Sequence, residues 1–400
     1  MALTRTRLTW LMYAATAAWA SFVYLLGPST PLLAEDFSLD PQQAGLYGTA
    51  LAVGIVSGGL VSGRLTSRLG RPATFRMGLL LLGAGVAVLF GAPTYPVSLL
   101  AVWLAGMGGA LVLNSSTATL SDLHGADSAA AITEANAIAA WIGAVSPLVL
   151  GAVLAAGVGW RGAVAVCLVL ALAAFVVSLR GAGTTPTASH DRPRPVAVGR
   201  GLRTRRFVVT CVALFAAVGS EFAVNFWGAT VLREVTSDAR ATSAMSAVVI
   251  GLAIGRTVGA WVSTRVDTHP LMVGGFATAG AGFAVFWTSS GLATAVVGLL
   301  LVGLGLSTLF PFVLDRVVAN AGGQADRGLA VGSLVLGSAI AVAPFALGAL
   351  AAVMPVRQAF LLVPALLAAG LLAVLASRPE HAPARADAPD DVSDSPAPPR

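Results

Sequence analysis

Six side chains able to do chemistry lie inside strongly apolar stretches of the chain: Tyr24, Asn114, Glu221, Asn225, Arg256 and Asp315. An ionisable group in hydrocarbon costs at least about 2–3 kcal/mol, so each charged member is a functional candidate by default. Glu221 falls fourteen positions after Phe207, where its apolar stretch begins. At a rise of about 1.5 Å per residue that is near the middle of a bilayer or just beyond it. A carboxyl group in a low-dielectric cavity is a candidate to carry a proton or to touch a solute; the plainer reading is an ion pair that ties helices together. Asn225 lies one helical turn further on the same face. Arg256, between Gly255 and Gly259, is too deep for an ordinary interface arginine. It requires a carboxylate partner, for which Glu221 and Asp315 compete, a path by which to snorkel, or the anionic group of a solute. Asn114 adds an uncharged hydrogen-bonding group. Tyr24 is either a cavity residue or packing, and Trp19, Phe22 and Trp227 are aromatic groups that stack on a solute or pack.

What positions these groups is a membrane. Hydrophobic residues make up 56% of the sequence and charged ones only 10%, a balance foreign to a water-soluble domain of 400 residues. Twelve apolar runs have the length that spans a bilayer as helix: 9–32, 44–64, 77–93, 97–121, 130–156, 162–179, 207–232, 243–263, 271–289, 291–315, 328–352 and 358–376. Cys167 and Cys211 fall inside these runs, and neither a disulfide nor a metal site is implied.

The chain also repeats itself. The segment Ala50 to Gly151 recurs without a gap from Ala247 to Gly348, 197 positions later. The matched residues include Gly54/Gly251, Gly58/Gly255, Arg68/Arg265, Gly106/Gly303 and Pro147/Pro344. Identity concentrated in glycine, proline and one arginine preserves close helix contacts and kinks, so two halves share one backbone plan. The same offset relates Tyr24 to Glu221, and Asn114 to Pro311, which is expected to kink its span.

All 24 basic residues are arginine. The net charge of +6 does not point to nucleic acid, because nineteen arginines fall in the termini and in the loops on their side, against Arg161, Arg233, Arg240 and Arg357 on the other. That bias places both termini in the cytoplasm. Residues 180–206, rich in Pro, Gly, Thr and Arg, read as a cytoplasmic linker. The expected organisation is a six-helix bundle over 1–179, the linker over 180–206, a second bundle over 207–376 and a disordered cytoplasmic tail over 377–400.

At the end of the second span the chain reads Gly63-Arg64-Leu65-Thr66-Ser67-Arg68-Leu69-Gly70-Arg71-Pro72. This resembles the loop motif of the major facilitator superfamily, Gly-x-x-x-Asp-Arg-x-Gly-Arg-Arg, with Arg68, Gly70 and Arg71 in place, Ser67 at the acidic position and Pro72 at the last basic one. The second half has a weaker copy that keeps Arg265 and Asp267. Gly143 to Gly151, with Ser146-Pro147 and Leu150-Gly151, is similar to the fifth-span motif of drug/proton antiporters but departs from its Gly-Pro and paired glycine. Gly219-Ser220-Glu221-Phe222 and Phe310-Pro311-Phe312 look like fragments of sugar-permease-like branches.

The resemblance implies an all-α membrane protein of twelve transmembrane helices in two pseudo-two-fold-related six-helix bundles, with spans 1, 4, 7 and 10 lining a central cavity. The expected activity is secondary active transport of a small organic solute across the inner membrane by alternating access, as proton-coupled uptake. The alternatives are proton-driven efflux of drug-like compounds or a secreted metabolite, and a non-transporting membrane sensor. Enzymatic activity, a cofactor and a bound metal are not expected, since the sequence has neither a phosphate-cradling loop nor a metal-spaced cluster. The expected partners are the solute, protons and the lipid bilayer, with the chain a monomer in the cell membrane.

Overall fold

The computed structural model describes residues 4–180, 204–263, 265–322 and 324–377. The expected linker and tail therefore lie almost wholly outside the described residues. Regular structure among the described residues is helical throughout: α1 (Arg7–Asp36), α2 (Pro41–Leu69), α3 (Arg71–Phe90), α4 (Tyr95–His124), α5 (Ser128–Ala155), α6 (Trp160–Arg180), α7 (Arg205–Leu232), α8 (Asp238–Ala244), α9 (Ser246–Val262), α10 (Thr268–Trp287), α11 (Leu292–Leu306), α12 (Leu309–Ala319), α13 (Ala325–Ala351), α14 (Val356–Ala359) and α15 (Leu362–Ala376). Among the described residues eleven helical segments are long and apolar enough to cross a membrane, and one of them, Tyr95–Ala155, is 61 residues long. A crossing needs about 20 residues. That segment is therefore two passes, α4 and α5, joined by the short 3₁₀ turn Gly125–Asp127, and the crossings number twelve.

Three expected spans are broken. The span over 291–315 divides at Ser307 and Thr308 into α11 and α12. Pro311 explains the position: lacking an N–H, it cannot bond the carbonyl four residues earlier, that of Ser307, and its ring crowds that oxygen. The Ser307 hydroxyl adds a 2.6 Å bond back to the carbonyl of Leu304. The eighth pass begins as α8 and resumes as α9, and the twelfth begins as α14 and resumes as α15.

Helix pairing inside the halves is duplicated. In the first half α1 packs on α5, α2 on α4 and α3 on both α4 and α6; in the second, α7 packs on α13, α9 on α11 and α10 on both α11 and α15. One glycine pair shows how this is achieved. A Cβ on Gly54 would lie 2.2 Å from the carbonyl oxygen of Trp103, and one on Gly251 would lie 2.3 Å from that of Leu300, the position 197 residues on. The two backbones touch, which only glycine permits.

The halves meet through α1 on α7, α2 on α13, and α5 on α8 and α9. Gly45 and Gly48 of α2 abut Pro344 of α13, and Gly151 of α5 abuts Ala239 and Ser243 of α8. The Thr49 hydroxyl donates across to the carbonyl of Ala341 at 2.9 Å. These contacts lie from mid-depth to the ends of the helices away from the N-terminus, called here the far end, and there Arg233 pairs with Glu35 across the halves.

Candidate functional site

At mid-depth, where α1 faces α7, the Tyr24 hydroxyl donates to Glu221 Oε1 at 3.3 Å. Arg256 of α9 approaches the same oxygen, with Nη2 4.0 Å away, and its guanidinium also interacts with Tyr24. Three helices from both halves thus converge on one carboxylate. The Glu221 side chain is 12% exposed and that of Arg256 34%, so the cation is the more open member.

The positions of these groups follow from local packing. Pro28 cannot bond the Tyr24 carbonyl, which loosens α1 one turn beyond the tyrosine. Gly143 of α5 lies under the Tyr24 ring, where a Cβ would come within 2.5 Å of it. Asn225 is buried one turn beyond Glu221. Its side-chain oxygen and backbone occupy the space a Cβ on Gly27 would need, so α1 and α7 are in backbone contact there. The carboxylate is therefore closed off from the far end by Asn225 against Gly27.

Of the other expected site residues, Asp315 is exposed on α12 and no ion pair joins it to Arg256 among the described residues; the arginine's carboxylate partner is Glu221. Depth along the chain made both acids eligible, and the rotation of α9 and α12 about their own axes decides between them. Asn114 is exposed on α4 and makes no hydrogen bond to the cluster. The candidate aromatic groups pack: Trp19 covers Gly109, Phe22 is 1% exposed, and the Trp227 indole donates to the carbonyl of Pro344 at 3.0 Å.

At the loop motif, Gly63 and Arg68 are exposed, and Gly70 takes φ +80°, a conformation that favours glycine, to turn α2 into α3. Arg71 is buried, paired with Asp122 of α4, and donates to the carbonyl of Ala118 at 3.3 Å. The motif therefore clamps α3 to α4 despite lacking its acid at Ser67, and the acid comes from a position the sequence reading passed over. In the weaker copy Arg265 and Asp267 are exposed, and Asp267 precedes α10. Also missed was Glu134 of α5, which accepts from Arg5 at 2.7 Å and from the Tyr13 hydroxyl at 2.9 Å. An acid seven positions after the turn Gly125–Asp127 gives little signal unless its arginine, far off in sequence, is known.

A sequence profile described as Major Facilitator Superfamily matches residues 11–236. An uncharacterised MFS-type transporter of Yersinia pestis is 27% identical over 362 residues, covering 86% of this chain and 87% of its own. The fold is shared with a bacterial homologue of the human lysosomal transporter Spinster, solved in an inward-facing and unoccupied conformation (TM-score 0.72, 14% identity, 95% of this chain and 100% of that one). It is shared likewise with the nucleoside transporter NupG (0.73, 14%, 93% and 98%) and with the fucose:proton symporter FucP of E. coli (0.59, 14%, 94% and 98%). The profile covers more than half of the chain and the duplicated twelve-helix plan runs through the rest, so the chain belongs to the Major Facilitator Superfamily and is a membrane transporter of that family.

Proposed function

We propose that the protein takes up a small organic solute across the cell membrane together with a proton, by alternating access, with both termini and the 180–206 segment in the cytoplasm. The observation that carries this reading is the Tyr24–Glu221–Arg256 cluster. It is an ionisable group at mid-depth, on the seam between the two halves, joined to groups from both. A carboxylate there changes its surroundings whenever the halves rock, which is what coupling a proton to a conformational change demands. The arginine distribution supports the topology, and on that topology the far end is the outer one. The contacts from Asn225–Gly27 to Glu35–Arg233 are then an outer closure, as in the inward-facing half of a transport cycle. A proton symporter among the proteins of like fold supports the coupling and the direction.

The test is accumulation in proteoliposomes with an imposed pH gradient, screened across a panel of small solutes. The expected result is concentration of one solute class when the outer side is acidic, abolished by a protonophore. Glu221→Gln is expected to abolish accumulation and to preserve exchange of solute for solute. Accumulation by Glu221→Gln with unaltered pH dependence would remove the residue from coupling, and solute extruded toward the acidic side would reverse the direction.

A further inference from the structure

We infer that the cargo of this site is a small organic monoanion, bound by Arg256 while Glu221 holds the co-transported proton, so that one anion and one proton cross together without net charge; the inference rests on the transport reading above.

The geometry favours an arginine waiting for a second partner. Its only ion pair among the described residues is at 4.0 Å, the outer limit of such a contact, and the carboxylate oxygen it faces is already taken by the Tyr24 hydroxyl. A guanidinium presents five N–H donors in a fixed fork suited to a carboxylate. Arg256 is nearly three times as exposed as Glu221, 34% against 12%, so the cation is the more accessible of the two to a second partner.

Charge balance then fixes the coupling. With Glu221 ionised and no solute, acid and arginine cancel. A bound anion adds one negative charge, which a proton on a Glu221 oxygen removes. A proton without the anion strands the guanidinium, and the anion without a proton leaves an excess negative charge; either is costly in hydrocarbon. Two states are therefore cheap, empty and ionised or loaded and protonated. The proton comes from one aqueous side and is released to the other, and no covalent bond is made beyond the O–H.

Among the described residues no other group is placed to take that proton. Of the helices packed against α7, α11 and α15 carry no titratable residue. Asp315 and Arg316, in the C-terminal half of α12, and Arg327, in the first turn of α13, lie toward the end of the bundle that carries the N-terminus, and Asp238 and Arg240 of α8 and Arg357 of α14 lie at the far end. On α2, Tyr47 is bonded to Ser98 at 2.7 Å, and Arg64 and Arg68 sit in its last turns. On α1, Tyr13 is bonded to Glu134, Arg7 begins the helix, and Glu35 and Asp36 are paired at the far end. Among the described residues only Tyr24 and Arg256 face the carboxylate.

The test is thermal stabilisation of the purified full-length protein by acetate, lactate and benzoate, each beside its neutral amide, from mildly acidic to mildly alkaline pH. Stabilisation by at least one of the acids and by none of the amides is expected, with apparent affinity falling about tenfold per pH unit where empty Glu221 is ionised. Arg256→Gln should weaken binding at least about tenfold, and Glu221→Gln should bind without pH dependence. Arg256→Lys, which keeps the charge, and the double variant Arg256→Gln/Glu221→Gln guard against a single variant that does not fold: the first should retain weaker anion binding and the second none. Stabilisation by amides alone, by no member of the panel, or by anions in Arg256→Gln with undiminished affinity would overturn the inference. If anions bind as described and a pH gradient drives no accumulation, the transport reading fails and the site assignment stands. If a neutral solute accumulates with protons, the reverse holds.

Discussion

Tyr24 and Glu221 stand 197 positions apart, the offset that relates the two copies of the repeat, and their side chains are hydrogen-bonded to each other at 3.3 Å. Residues related by a two-fold axis touch only where they lie on it, so this contact marks the axis between the halves. The two halves differ there in chemistry. The first offers a neutral donor and the second the charge, with Arg256 beside it, so any proton is carried on the second half alone.

Tyr24→Phe keeps the ring over Gly143 and removes the donor. Loss of one such bond is worth about 1 kcal/mol, so accumulation is expected to fall about fivefold with little change in folded yield. Equal accumulation and an unchanged pH profile would make the hydroxyl a bystander.

Arg256 and Glu221 should be coupled. Removing the arginine alone leaves the acid without a counter-charge, and removing both is expected to recover part of the lost folded yield or activity. With a 4.0 Å contact and a cation one-third exposed, a coupling of about 0.5–3 kcal/mol is expected from a double-mutant cycle. The same cycle on Arg256 and Asp315 should be additive, because Asp315 is exposed. Additivity for the first pair would mean that the arginine has no protein partner in function.

The duplicated plan was legible because Gly54, Gly106, Gly251 and Gly303 are spent on backbone contacts that no other residue allows. The depth of Glu221 followed from counting residues along a span. What stayed hidden depends on how each helix is turned about its own axis. Lipid and protein interior are both apolar, so the pattern of hydropathy does not show which face of α9 meets α7 or which of α12 meets solvent. Gly143 beneath Tyr24, Gly27 against Asn225, and Asp122 as the partner of Arg71 are all facts of that kind. The break at Ser307 was nearer to hand, since Pro311 was expected to disturb its helix and the effect is felt one turn earlier.

The repeat's glycines make their own prediction. Gly54→Ala and Gly251→Ala drive a Cβ into backbone at 2.2 and 2.3 Å, whereas Gly59 has open space around it. The first two are expected to destabilise the protein by about 1–3 kcal/mol. Gly59→Ala should be neutral or stabilising by up to about 1 kcal/mol, through helix propensity. Thermal melts in one detergent would compare them, and equal melts would show that the helices separate at no cost.

Topology can be read from single cysteines at Ala188 and Thr236 in a background without Cys167 and Cys211. An impermeant thiol reagent applied to intact cells is expected to label position 236 and not 188. Labelling of 188 from outside would invert the protein and, with it, the assignment of the closed end.

Arg233 joins the two halves at the far end. Asp238, within its own half, receives two hydrogen bonds from it at 2.7 and 2.9 Å and so aims the guanidinium at Glu35 of the other half. Burial works against the charge, but the bonds to Asp238 and Glu35 prevail and raise the arginine's pKa, so the cation persists at any pH a cell meets. Glu35 is 61% exposed, and an exposed pair is worth about 0–1 kcal/mol. Glu35→Gln is accordingly expected to shift the balance toward outward opening by no more than about fivefold. A cysteine at Ala341, whose carbonyl is bonded to Thr49 across the seam, should react faster from outside by that factor, and high salt should mimic the variant. An unchanged labelling rate in both conditions would show that α2 against α13, not the ion pair, holds the outer end shut.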